Sequence, residues 1–119
     1  MEENTENKTD KLLEGTIWER NNNDSYLDDV FLRCNIHFLT KITGELINNE
    51  NKNLNIPFNY SYENSIIEIY AKLKYIDIIM KSYIFNKNDN TFTMNITITH
   101  NESYIRENIY SDILYKKIK

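Results

Sequence analysis

The chain has 119 residues, a formal net charge of -4 at pH 7 and an isoelectric point near 5.2. This length suits one domain with one hydrophobic core, and the acidic balance is unfavourable for nucleic-acid binding, which needs clustered Lys and Arg. The one basic cluster, Lys116, Lys117 and Lys119, is interpreted as a solvated chain end. Nucleic acid is therefore not an expected partner. No apolar run has the length of a transmembrane helix, so no transmembrane segment is expected.

Residues 1–12 are acidic and Asn-rich, where an export signal would be basic and then apolar. We expect residues 1–9 to form a disordered leader in front of one domain at residues 10–119. The protein is then cytoplasmic if Met1 is its natural start, and exported or lipid-anchored if a signal has been removed. Thr9 or Asp10 is expected to cap a short helical turn through residues 11–13 that covers one end of the fold.

Two Gly and one Pro leave Asn and Asp to form most turns. Between the Asn clusters the apolar residues recur with period two, which is typical of β-strands. Residues 62–65 predict a tight hairpin turn, and residues 103–110 are not assigned. The predicted strands are residues 15–20, 30–38, 40–47, 56–62, 66–71, 76–85, 91–99 and 113–119.

The alternation also predicts which side chains face inward. Short strands joined by hairpin-length connections favour an all-β fold, an antiparallel meander of about eight strands closed into a small up-and-down barrel, because closure removes unpaired edges. The predicted inward residues include Val30, Leu32, Cys34, Ile36 and Phe38; Ile56, Phe58, Tyr60 and Tyr62; Ile76, Ile78, Met80, Ser82 and Ile84; and Phe92, Met94, Ile96 and Ile98.

Three short segments carry a family resemblance: residues 13–19 (LEGTIWE), 57–62 (PFNYSY) and 115–117 (YKK). Together they resemble the small bacterial lipocalin-like domains of the calycin superfamily. In that family a Gly and a Trp open the barrel, the Trp packs across its closed end, and a basic residue on the last strand lies over the Trp. The resemblance implies that Gly15 and Trp18 close the barrel, with Lys116 or Lys117 beside them.

The pattern of the last strand favours Lys117 as the inner lysine, because it shares a face with Ile113 and Tyr115. Its stem would then lie over the Trp18 ring in a cation–π contact. The alternative is a frayed tail with both lysines in water.

No catalytic arrangement is evident, because an active site needs polar groups that converge in a pocket and the predicted inward faces are apolar. Cys34 and His37 are an odd number of residues apart on one strand, so their side chains point to opposite faces. Cys34 is interpreted as a buried apolar residue, His37 as an exposed strand residue and His100 as a turn residue. A solvated face or a turn explains the carboxylates Asp28, Asp29, Glu68 and Asp77. No enzyme activity, cofactor or metal is expected.

The aromatic residues are the remaining functional signal. A barrel of this size is either filled by side chains, the favoured interpretation here, or holds one small ligand. The candidate ligand-binding residues are Phe58, Tyr60, Tyr62 and Met80, with loop tyrosines Tyr26, Tyr104 and Tyr110.

We therefore predict a non-catalytic binding domain whose target is a small apolar ligand or a protein surface. The alternative is an inhibitor or protein-interaction protein that acts through loops such as the acidic segment at residues 21–29. Oligomeric state and partner identity are left open.

Overall fold

The computed structural model describes residues 13–20, 30–48, 54–86 and 88–119, with only the backbone of Val30 and Ile84. A 3-10 turn occupies Val30–Arg33. The strands of this part of the chain are β1 (Ile17–Arg20), β2 (Cys34–Phe38), β3 (Thr43–Asn48), β4 (Asn55–Glu63), β5 (Ile66–Leu73), β6 (Ile76–Asn86), β7 (Thr91–Asn101) and β8 (Ile105–Lys117).

These strands form a closed antiparallel barrel in sequence order, which confirms the predicted fold class. Each strand pairs with the next one along the chain, and β8 pairs with β1 to complete the circle. The β4–β5 connection is the expected tight turn, with Asn64 and Ser65 at positive φ of 52° and 64°. Such angles match the twist of a two-residue hairpin. No helix within the described ranges is long and apolar enough to cross a membrane.

The core fills the barrel with side chains that alternate along each strand. In β4, for example, every second residue from Ile56 to Tyr62 is buried and the residues between them are exposed. The same alternation holds in β7 from Phe92 to Ile98. Burial of one face is what makes period two a reliable sign of these strands.

The second predicted strand begins too early, because residues 30–33 form a 3-10 turn and β2 starts at Cys34. Leu32 is nevertheless buried and Phe31 packs against the core. The 3-10 turn directs Leu32 and Phe31 toward the core although the backbone is not extended, so the apolar pattern wrongly predicted a strand at residues 30–33.

The last strand is much longer than predicted, since β8 runs without interruption from Ile105 to Lys117. Residues 105–109 have mostly exposed side chains on both faces, and so show no alternation. These residues form a strand because their backbone pairs with β7, beginning with Ile105 opposite Asn101. Asp112, at a φ of 63°, lies where the register shifts, after which Ile113 and Tyr115 are buried.

A second irregularity changes the inward set of β6. The register with β7 shifts between Ser82 and Ile84, so that Phe85, absent from the predicted inward set, packs its ring against the core. The side chain of Ile84 lies outside the described part. Ser82 is buried as predicted, and its Oγ accepts the Ile67 backbone N–H at 2.7 Å, which satisfies a buried donor at the end of the β5–β6 ladder.

Candidate functional site

Trp18, the second residue of β1, lies in an aromatic cluster of the core. Its side chain is 1% exposed, and its ring centroid lies 4.4 Å from that of Phe92 and 5.9 Å from that of Phe85. The indole Nε1 donates to Thr16 Oγ1 at 2.8 Å, and the Thr16 hydroxyl donates to the Leu13 carbonyl at 2.5 Å. These contacts hold the turn that precedes β1 against the core.

The turn spans residues 13–16, since the Thr16 N–H donates to the Leu13 carbonyl at 3.0 Å. Glycine is favoured at its third position, because Gly15 has a φ of 81°, and the Gly15 N–H donates to the Phe38 carbonyl at 2.7 Å. Leu13, the first residue of the turn, is fully buried. The rest of the predicted helical turn, and the leader at residues 1–9, fall outside the described ranges.

The register places Lys117 directly opposite Trp18, and Lys116 opposite Glu19. Residues opposite each other in an antiparallel pair share a face, so Lys117 lies on the same face as the buried indole. The tail is tied to the barrel, because the Lys117 N–H donates to the Asn90 carbonyl and the Ile118 N–H to the Ile17 carbonyl, both at 2.9 Å. Energetic coupling between Lys117 and Trp18 stays a prediction.

The four predicted ligand-binding residues, Phe58, Tyr60, Tyr62 and Met80, are all buried in the core. The Tyr60 ring lies 4.7 Å from that of Phe38, and its hydroxyl donates to the Thr40 carbonyl at 2.5 Å. Tyr62 stacks on Phe85 at 5.6 Å, and burial raises the pKa of its phenol. These side chains serve as packing, and their ligand role stays a prediction.

The titratable side chains singled out in the sequence do not converge. Cys34 is buried, whereas His37 faces outward opposite Glu45. Burial lowers the pKa of His37, and the nearby Glu45 carboxylate opposes this. The expectation that His100 lies in a turn is wrong, since it is half-buried in β7, and Tyr110, expected in a loop, lies in β8. Nowhere in the described ranges do three metal-binding side chains cluster. Asp28, Asp29 and Tyr26 lie outside the described residues.

An open groove of about 810 Å³ lies on the outer face of the barrel, across β3 to β7. Most of the side chains that line it alternate with core residues and point away from the interior. Its most exposed apolar surface includes Tyr70, which is 48% exposed, and Ile79, which is 45% exposed. These two residues are direct partners across β5 and β6.

Two rows of outward residues cross the groove side by side. The first runs through Asn59, Tyr70, Ile79 and Thr97, each the cross-strand partner of the next. The second, two residues further along the strands, places Lys72 opposite Asp77 and Asp77 opposite Thr99. The first row therefore carries the apolar surface and the second carries charge.

Hydrogen bonds hold several groove side chains in place. The Tyr70 hydroxyl donates to Glu68 Oε2 at 2.6 Å, and this bond raises the pKa of the phenol. Glu68 Oε1 is also 3.7 Å from the Lys81 ammonium. Asn101 Nδ2 donates to Asp77 Oδ2 at 2.9 Å. The tyrosine ring and the Asp77 carboxylate are thus oriented before any partner binds.

The alternation of apolar and polar residues does not predict this groove, because outward residues are expected simply to face solvent. A signal was present in the sequence. Ile78 and Ile79 are adjacent apolar residues in a strand, so one of them must face outward, and Tyr70 occupies an outward position in β5. Apolar residues at outward positions of neighbouring strands indicate an exposed patch.

Protein-family models, curated proteins and solved structures contain no match to this chain. The structure itself therefore assigns only the architecture of the described residues, which is an eight-stranded closed antiparallel β-barrel with a groove on its outer face. This architecture is consistent with the lipocalin-like resemblance of the sequence.

Proposed function

We propose that the protein is a non-catalytic binding domain of lipocalin-like type, whose target occupies the groove on the outer face of β3 to β7. The groove, about 810 Å³ in volume and bordered by exposed Tyr70 and Ile79, is the observation that carries the proposal. Ligand sites commonly measure roughly 300–1,000 Å³, and exposed apolar patches commonly mark interaction sites.

A protein surface fits the groove better than a small apolar ligand does. Small-molecule sites bury most of the ligand surface in a concavity, whereas this groove is open to solvent on the outside of a sheet. Tyr60, Tyr62 and Met80 are buried in the core away from the groove, and Phe58 is buried at its border. The loop-mediated alternative depends on residues 21–29, which lie outside the described ranges, and no observation favours it.

The proposal is tested by the fluorescence of N-phenylnaphthylamine, a neutral apolar dye that probes the exposed apolar surface which a protein target would cover. The groove variant replaces both Tyr70 and Ile79 by Ser. The matched control replaces both Tyr104 and Ile105 by Ser, since these side chains are 70% and 77% exposed and do not line the groove. Circular dichroism verifies that each variant is folded.

We expect saturable dye binding by the wild type and by the control, and a loss of about tenfold in affinity or more for the groove variant. Equal affinity in the two variants, or no binding by the folded wild type, would contradict the proposal.

A further inference from the structure

We infer that the partner of the groove is an extended polypeptide segment in which an apolar residue and a Lys or Arg stand two positions apart. The inference rests on the proposed function, because it concerns the chemistry of the target at the same groove. It follows from the apolar row, the charge beside it and the spacing between them.

The apolar row continues beyond the groove. Thr97, the partner of Ile79, is itself opposite Ile109 on β8, and Ile109 is 65% exposed. Tyr70, Ile79 and Ile109 therefore lie along one line across β5 to β8. Neighbouring strands are about 4.8 Å apart, so the line is about 14 Å long. A segment of chain that runs parallel to β6 crosses this line over Tyr70 and Ile79.

The charge next to this line is mostly negative. Glu45 and Asp77 line the groove, and Glu107 lies opposite Thr99 at its edge. In the described part of the chain none of these carboxylates forms an ion pair, and the one cation that lines the groove is Lys72. The whole chain also has a net charge of -4. Such a surface attracts a basic partner and disfavours nucleic acid or an anionic membrane.

The spacing between the two rows sets the pattern of the partner. Asp77 and Ile79 are two residues apart on β6, and both side chains face outward. Their Cα atoms are therefore separated by about 6.7 Å along the strand. In an extended segment, side chains at positions i and i+2 share a face and have the same separation. An apolar side chain over Tyr70 and Ile79 therefore places a basic side chain that is two positions away beside Asp77.

The test uses short capped peptides titrated into the isotope-labelled protein, with amide chemical shifts as the readout. The first peptide carries Leu-Ser-Lys flanked by Gly and Ser. A charge control carries Leu-Ser-Glu, and a spacing control carries Leu-Lys-Ser. The protein variant Asp77→Asn removes the charge and keeps an oxygen that can accept the bond from Asn101.

We expect the Leu-Ser-Lys peptide to bind about tenfold more tightly than Leu-Ser-Glu at low salt, with a smaller ratio in high salt and in Asp77→Asn. Leu-Lys-Ser is expected to bind more weakly than Leu-Ser-Lys. Equal affinity for the Lys and Glu peptides, or an unchanged ratio in Asp77→Asn, would overturn the inference. So would tighter binding to phosphatidylglycerol vesicles than to any peptide.

The dye titration separates this inference from the proposed function. If the dye binds in the groove but the peptides do not discriminate by charge, the groove remains a binding site and the partner chemistry is wrong. If the folded protein binds neither dye nor peptide, both are wrong.

Discussion

Replacement of Trp18 by Ala should remove a large part of the stability of the barrel. The side chain is 1% exposed and packs on Phe85 and Phe92, so its removal leaves a cavity in the aromatic core. Loss of a buried large aromatic costs about 3–5 kcal/mol, whereas a domain of this size has about 5–15 kcal/mol in total. Trp18 lies on β1, which has four residues and is the shortest of the described strands, and which joins β2 to β8 in the closed barrel.

Trp18→Phe separates packing from hydrogen bonding. It keeps an aromatic ring but loses the bond from Nε1 to Thr16 Oγ1, which is worth about 0.5–1.5 kcal/mol. Urea denaturation followed by far-ultraviolet circular dichroism measures both variants, with Tyr104→Ala as an exposed control expected within about 0.5 kcal/mol of the wild type. A cost below about 1 kcal/mol for Trp18→Ala, or fluorescence typical of an exposed indole in the wild type, would refute the closing role.

Three further predictions concern the core. Gly44→Ala should destabilise the protein by at least about 1–3 kcal/mol in urea denaturation, because the added Cβ would overlap the His37 carbonyl oxygen and the Phe58 ring; a neutral effect would contradict this packing. Ser82→Ala should cost about 1–3 kcal/mol by the same assay, since it leaves the Ile67 N–H buried without its acceptor, and faster exchange of that amide would accompany the loss. Burial raises the pKa of the Tyr115 phenol above its ordinary value of 10.0. The stability that comes from keeping this phenol neutral is fully present below pH 10 and is lost as the pH rises further. Urea denaturation midpoints should therefore fall less steeply above pH 10 in Tyr115→Phe than in the wild type, and identical slopes would argue against a buried neutral phenol.

Much of the fold follows from one physical regularity, the alternation of buried and exposed side chains. It is strong in β4 and β7 because one face of each strand packs in the core and the other meets solvent. It was uninformative for residues 105–109, whose side chains are largely exposed and whose structure depends on backbone pairing with β7. Pairing partners are not encoded in the local pattern, so the early part of β8 was not predictable from it.

The candidate site was harder to predict than the fold. The groove combines outward residues from five strands, such as Tyr70 and Ile79, which become neighbours only through the register. The bulge after Ser82 also brings Phe85 against Trp18 and Tyr62, a contact that strict alternation does not anticipate. Irregularities of one residue change which face a side chain occupies, and the apolar pattern carries little trace of them.

We expect the target to bind on the outside of the barrel and not within it. Isoleucine methyl groups report this directly, because Ile79 faces the groove while Ile69 and Ile96 are buried in the core. A methyl-labelled sample would be titrated with N-phenylnaphthylamine, and methyl shifts and contacts with the dye would be recorded by NMR. We expect shifts and direct dye contacts at the Ile79 methyl groups, with the signals of Ile69 and Ile96 unchanged. Contacts of the dye with Ile69 and Ile96, and none with Ile79, would contradict it.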